Sequence, residues 1–459
     1  MKTIFITVYD GDTEKVILRS GVFERLKASG NRLVLLVRVP DRLPYYKEHF
    51  EKDNVIVELL PGAMTKLEAL WYHLGWNTLP THSAFIRRYT KYRSHKNMVR
   101  YAIESLCGFL GNVRLWREFL RGIYALSRDS YCDAYFTKYT PDLVFTPNMF
   151  SPEDLLLLRA AKRRGIPTIA TAKSWDVLTT KAFTRVKADR LLVFNDINRQ
   201  EAVKIGDYAP SRVVVTGFPQ FDVYARDDWK LSREVFCKEL GLDREKRIIL
   251  VAVPGDWKTP YTKEILAELD RRIEAGHFPM KVQVLARLHP KYADGSEGTS
   301  YRHIVMNRPG THFSSGREFS IDMGIANVYQ WTFTDKDIAH LANSIFHSDV
   351  IVNTESTLTL DGAALGKPTV LIAYEGNHTL PYWDSVARIY EREHYRSVVQ
   401  TGAAPLVKSH DELETTLSRF LKDPEYLKEE RALLTTKLLY KTDGHSAERT
   451  AEAVLSLLS

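Results

Sequence analysis

The sequence predicts an α/β protein built from two doubly wound parallel-sheet domains that face a cleft, the first carrying a helical insertion. Three observations predict it. Short β-rich apolar runs alternate with helical segments, the pattern of parallel strands joined by covering helices. The alternation breaks at a turn-rich stretch, GFPQFDVYARDDWK, and restarts beyond it. Finally, 459 residues exceed what one hydrophobic core organises and suit two domains of ordinary size.

In chain order, the first half offers strands at Thr3–Val8, Leu33–Val37, Val55–Leu59, Leu143–Thr146, Thr168–Ala172, Leu191–Phe194 and Val213–Thr216. Between the third and fourth, residues 63–138 lack strand signals and read as the helical insertion. Residues 217–247 form the linker and an amphipathic entry helix. The second half offers Ile248–Val253, Val282–Leu288, Val328–Thr332, Val350–Asn353 and Thr369–Ala373, with a glycine-bearing, loop-rich excursion over 291–327. After Lys408 the chain is helical, ending in the amphipathic SAERTAEAVLSLL. The predicted domains are 1–225 and 226–445, with helix 446–459 packing back on the first.

Composition narrows the class. Hydrophobic residues at 44% and charged residues at 26% describe a globular protein, and no apolar run reaches the length of a membrane span. Cys107, Cys132 and Cys237 are far apart and form no metal-ligand spacing, which points to a reducing compartment and no metal. With no signal-peptide pattern at MKTIFITVYDGD, the expected location is cytoplasmic. The +7 net charge is concentrated: from Phe85 to Ala125, nine basic residues stand against Glu104 and Glu118. Aromatics such as Phe85, Tyr89, Tyr92, Trp116 and Phe119 interleave with them. Arg87, Arg88, Lys91 and Arg93 are therefore candidates for contact with an anionic membrane surface or a charged acceptor; a solvated helix face is the equal alternative. Nucleic acid is a weaker option.

The site pattern centres on SDVIVNTESTLTLDGAALGKPTVLIAY, residues 348–374. A buried strand, a small-polar turn, a helix and a second strand make a βαβ unit, and Thr354, Ser356 and Thr357 place hydroxyls where a helix start attracts phosphate. Any one of them alone would be an N-cap. Glu355 fits a phosphate cradle least, because its charge would repel, so it suits a ribose or sugar hydroxyl. His289 and Pro290, in ARLHPKY, follow the strand Val282–Leu288 at the same edge; Arg287 is expected to face elsewhere, and His394, which follows the last strand, to lie on the surface, with the crevice as its alternative. In the first half, Asp10 stands at the carboxyl end of the first strand, with Asp12 or Thr13 as the expected cap. Asp176 follows Trp175 beyond the Thr168–Ala172 strand, where desolvation would equip it to take a proton from a hydroxyl; a turn carboxylate is the even alternative. Neither G-x-G-x-x-G nor a P-loop occurs.

The pieces SWDVLTTK, VVVTGFPQFD, RLHP, SDVIVNTESTLTLDGAALGKPTVLI and DGHSAERTAEAVL, in that order, resemble the GT-B superfamily, in particular its CDP-glycerol glycerophosphotransferase-like and capsule-polysaccharide transferase-like branch, with UDP-N-acetylglucosamine 2-epimerase more distant. The resemblance spans residues 165–459. It implies two Rossmann-like domains and a glycosyltransferase or polyol-phosphate transferase that needs no metal or cofactor. The substrates implied are a nucleotide-activated sugar or polyol phosphate and a glycan or lipid-linked acceptor of the cell surface. His289 with Pro290, and Thr354, Ser356 and Thr357, would hold the donor phosphate, and Asp176 or Asp10 would be the base. Two alternatives remain: a UDP-sugar 2-epimerase, whose histidine and carboxylate motifs are not evident in the first half, and a GT-B-like binding protein without catalysis.

Overall fold

The computed structural model describes residues 1–62, 65–127, 130–254, 261–289, 300–308, 311–312 and 331–458. It divides into two units, Met1–Asp222 with Asp443–Ser459, and Val223–His312 with Arg317–Thr442.

The first unit holds β1 (Thr3–Val8), β2 (Arg32–Val37), β3 (Val55–Leu59), β4 (Leu143–Thr146), β5 (Thr168–Thr171), β6 (Arg190–Val193) and β7 (Val213–Val215), in the order β3-β2-β1-β4-β5-β6-β7. Every pairing is parallel. All six residues of β1 are buried, because a central parallel strand is covered on both faces. The strand order reverses between β1 and β4, so the carboxyl ends there open on the crevice where α/β sheets bind ligands.

Between β3 and β4 run α1 (Lys66–Asn77), α2 (His82–His95), α3 (Met98–Leu110) and α4 (Arg114–Leu126). Buried polar contacts fasten this insertion to the sheet. Glu68 of α1 accepts from Tyr124 Oη at 3.0 Å and from Arg159 Nη2 at 3.2 Å, Arg159 lying on α5 (Pro152–Arg163). Arg117 and Arg121 of α4 both bond the carboxylate of Asp207, at 2.6 to 2.8 Å.

The second unit repeats the winding. Its sheet contains β8 (Arg247–Val253), β9 (Val282–Leu288), β10 (Ile304–Asn307), β13 (Val350–Asn353), β14 (Thr369–Ile372) and β15 (Leu406–Val407), ordered β10-β9-β8-β13-β14-β15 and parallel throughout. Between β10 and β13 lie β11 (Thr311–His312) and β12 (Trp331–Thr332), a separate antiparallel pair. Of the strand expected at Val328–Thr332, only these last two residues are described, and they pair outside the main sheet. The switch point falls between β8 and β13. After β13 come α6 (Leu358–Ala364) and α7 (Glu393–Val399).

The last helix, α8 (Ser446–Leu455), belongs to the first unit and buries Ala447, Ala451 and Val454 in its core. Its first N–H groups are taken by Asp222: Ser446 and Ala447 donate to the carboxylate at 3.0 and 2.7 Å. Gly217, at φ +85°, lets the strand end approach closely, since a Cβ there would sit 2.4 Å from Ser446 Oγ. The segments GFPQFD and DGHSAERT thus meet in space. Among the described residues no helix is long and apolar enough to cross a membrane.

Candidate functional site

In the second unit the turn after β13 is built by its own side chains. Ser356 Oγ accepts from Leu358 N at 3.2 Å, and Tyr395 of α7 donates to the Ser356 carbonyl at 2.7 Å. Asn353, Thr359 and Tyr395 form a buried hydrogen-bonded chain beneath the turn, at 3.1 and 3.3 Å. Thr354 is buried and its hydroxyl bonds Tyr390, so it supports the turn from below. Ser356 is half-buried and Thr357 exposed. α6 has only seven residues, so its dipole is short.

The charge at the turn is set instead by side chains. Glu355 stands at φ +45°, a left-handed conformation that costs a non-glycine residue roughly 1 kcal/mol and marks a constrained position. Its carboxylate is ion-paired with Arg392, and His394 Nε2 lies 3.5 Å away. The expected repulsion of phosphate by Glu355 is therefore neutralised locally. His394, expected on the surface, is 5% exposed and turned onto this carboxylate.

His289 lies just past β9, half-buried, with its carbonyl accepting from Arg308 Nη1 at 3.3 Å. Only β8 separates β9 from β13, so His289 and the Glu355–Thr357 turn occupy one sheet edge, on strands about 10 Å apart. Pro290 lies outside the described residues. Arg287 points to the sheet face opposite Val284, Ala286 and Leu288 and is buried there. Its two terminal amines have no hydrogen-bond partner among the described residues. Burial pushes its pKa down to about 10, against the opposing pull of Tyr224, Asp337 and Asp361, so the guanidinium stays charged at neutral pH.

In the first unit Asp10 sits at the β1 end of the switch point. It is itself the cap, a role expected of Asp12 or Thr13: Asp10 Oδ1 accepts from Thr13 N at 2.8 Å and Thr13 Oγ1 at 2.9 Å. Its other oxygen pairs with Lys173, which also reaches Asp12 at 3.1 Å. Burial works to lower the Lys173 pKa, but the two carboxylates outweigh it and hold the ammonium above the usual lysine value. Beneath, the fully buried Asp154 is pushed well above the usual carboxylate range by desolvation, with Glu153 and Asp10 adding to it.

Asp176 lies beyond β5, half-buried beside the buried Trp175, and accepts from Thr180 Oγ1 at 3.1 Å. The insertion braces this turn. Arg87 donates to the Thr180 carbonyl and, at 2.6 Å, to that of Trp76, with its guanidinium stacked on the Trp76 ring; Thr81 Oγ1 donates to Thr179 O at 2.7 Å. Arg88 is buried, donates to Asn77 O at 3.2 Å and fits under Gly108, where a Cβ would come within 2.6 Å of it. Lys91 pairs with Glu104 at 2.8 Å, and Arg93 is half-buried. Arg87 and Arg88 therefore face inward: carbonyl oxygens freed at the helix ends attract the guanidinium groups more strongly than solvent does. Sequence reasoning does not single out Arg392, Lys173 or Asp154 and puts His394 on the surface, because each meets its partner through the fold.

Residues 171–456 match the family described as CDP-glycerol:poly(glycerophosphate) glycerophosphotransferase. No curated protein matches the chain. Among solved structures it is similar to the UDP-GlcNAc 2-epimerase from Neisseria meningitidis bound to UDP-GlcNAc, at 12% identity over 99% of this chain and 100% of that one, with a TM-score of 0.56. It is also similar to a glycosyltransferase from Rickettsia africae ESF-5 (11% identity, 100% and 99% covered, TM-score 0.50) and to the glycotransferase of kitacinnamycin (13%, 100% and 99%, 0.52). At these identities the likeness is one of fold, the GT-B type with two Rossmann-like sheets.

Proposed function

The chain belongs to the CDP-glycerol:poly(glycerophosphate) glycerophosphotransferase family, and from that premise we propose that it transfers a sugar or polyol phosphate from a nucleotide-activated donor to a hydroxyl of a cell-surface glycan or glycolipid precursor, without a metal ion. The observation that carries the reading is the turn Glu355–Ser356–Thr357, with Arg392 and His394 on it and His289 along the same sheet edge. The acceptor oxygen forms the new bond as the bond to the departing nucleotide breaks. Negative charge then grows on the nucleotide's phosphate. Ser356 and Thr357 hydroxyls, Arg392 and His289 are the donors placed to stabilise that charge, the task a divalent ion performs elsewhere. Glu355, held by Arg392, is suited to a ribose or sugar hydroxyl. In the first unit Asp176 is the proposed base that takes the acceptor's proton. Asp10, committed to a cap and to Lys173, has a positioning role. The UDP-GlcNAc held by the Neisseria protein supports a nucleotide-linked donor.

The direct test incubates the chain with CMP-, CDP-, UDP- and GDP-linked donors and glycan and lipid acceptors, with and without EDTA, and follows nucleotide release. Release with one donor class, unchanged by EDTA, is expected. Absence of both binding and turnover across the panel sinks the proposal. The turn has its own test by calorimetric titration of nucleotide. Arg392→Ala should weaken binding about tenfold or more, because it removes a charged donor and exposes phosphate to Glu355. Adding Glu355→Gln should recover part of that loss. Unchanged affinity in Arg392→Ala would place the phosphate elsewhere.

A further inference from the structure

At the amino ends of β8, β13 and β14, the edge of the second sheet opposite the Glu355–Thr357 turn, lies a cavity of about 300 Å³. Its wall sets Leu365, Pro368 and Phe420 beside three cations from three different elements: Arg247 at the start of β8, Lys367 between α6 and β14, and Arg431 on the helix Lys428–Leu439. A volume of this order holds a small molecule.

Two of these cations have no counter-ion. Arg431 is 8% exposed, yet among the described residues its guanidinium meets only carbonyl oxygens, those of Tyr426 at 2.7 Å and Pro424 at 2.8 Å. Lys367 is half-buried, lies over the Phe346 ring and donates to the Ser348 carbonyl at 2.9 Å; no carboxylate among the described residues is within ion-pairing distance of it. Burial holds the pKa of both groups below the ordinary value, and the pull of Asp349 on Lys367 and of Glu425 on Arg431 does not offset it. Buried charges are normally paired. The two carboxylates of the wall are engaged elsewhere: Asp349 pairs with Arg247 at 2.8 Å and accepts from Ile248 N at 2.8 Å, and Glu425 pairs with Lys428. Lys367 and Arg431 are thus two unmatched positive charges beside an apolar face.

That combination selects the ligand. A phosphomonoester carries a charge of about −1.5 to −2 at neutral pH and three acceptor oxygens, whereas a carboxylate brings one charge and two oxygens. We propose that this cavity binds a small phosphomonoester, with its phosphate between Lys367 and Arg431, Arg247 at the rim, and its organic body against Leu365, Pro368 and Phe420. The four residues of β13, about 13 Å of strand, separate the cavity from the turn assigned to the donor. It is therefore a second site, and it stands independently of the transfer chemistry.

Titration calorimetry of the full chain with phenyl phosphate, inorganic phosphate and benzyl alcohol tests this. Phenyl phosphate should bind at least about tenfold more tightly than either of the others, because it alone offers both charge and apolar area. Arg392→Ala, which weakens the donor turn, should leave this binding in place. Lys367→Gln keeps a donor for the Ser348 carbonyl but removes the charge, and should weaken phenyl phosphate about tenfold or more. Asp349→Asn keeps an acceptor for Ile248 N and releases Arg247, so it should tighten binding about threefold or more. Loss of folding cannot imitate that gain. Four results overturn the proposal: a wild-type chain that takes up no phenyl phosphate, one that binds it no better than the other two probes, unchanged affinity in Lys367→Gln or in Asp349→Asn, or loss of uptake in Arg392→Ala, which would place the phosphate at the donor turn.

Discussion

Asp176→Asn is expected to lower kcat by about 100-fold to 10,000-fold, the usual contribution of a positioned general base, while nucleotide affinity changes less than about twofold. Asparagine keeps an oxygen for the Thr180 hydroxyl and leaves the turn braced by Arg87 and Thr81, so the substitution removes proton acceptance and little else. Single-turnover kinetics with saturating donor separate the chemical step from binding. A rate within about tenfold of the wild type would remove Asp176 as the base.

The largest effect on stability is expected at Asp207. Its carboxylate takes Arg117 Nε at 2.8 Å, Arg117 Nη2 at 2.6 Å and Arg121 Nη1 at 2.8 Å, and all three residues are more than nine-tenths buried. Asp207→Asn leaves the buried Arg117 guanidinium without a counter-charge and Arg121 with Glu118 alone, at a cost of about 3 kcal/mol or more. For a unit of this size the first calorimetric transition should fall by roughly 10 °C. Position 207 has φ +58°, which asparagine tolerates, so backbone strain does not confound the comparison. The pH dependence has a definite sign. Burial works to raise the Asp207 pKa, but the bonds from Arg117 and Arg121 prevail and hold it below the ordinary aspartate value. Its stabilisation is therefore complete above the ordinary aspartate pKa and is lost as pH falls through the depressed folded value. Wild type and variant should differ fully at neutral pH and converge only in acid. An equal difference at all pH values would contradict the ion-pair account.

Both sheets were largely legible in the sequence, because strands buried on two faces are predominantly apolar, as in TIFITV and, apart from Gln283 and Arg287, VQVLARL. The strands that escaped were β10, a four-residue edge strand within a loop-rich stretch, and β15, only two residues long. Position along a strand makes His289, Ser356, Thr357 and Asp10 candidates, and the fold puts each at the carboxyl end of its sheet. Partnership was not legible. Arg392 meets Glu355 across 37 residues and Lys173 meets Asp10 across 163, and no local pattern encodes such pairs. The basic segment shows the same gap from the other side: counting arginines cannot tell a guanidinium that faces solvent from one that satisfies carbonyl oxygens inside, as Arg87 and Arg88 do.

The cap of α8 by Asp222 reaches into how the protein is made. The chain leaves the first unit at Asp222 and returns at Asp443, so the second unit is an insertion within the first. Domains tend to fold as they emerge from the ribosome, amino-terminal first. Here that order is inverted for the nascent chain: the second unit is fully synthesised before the residues that close the first have been added. Until then the seam against which Ala447, Ala451 and Val454 pack is open, and the nascent first unit presents apolar surface for the time needed to translate over two hundred codons.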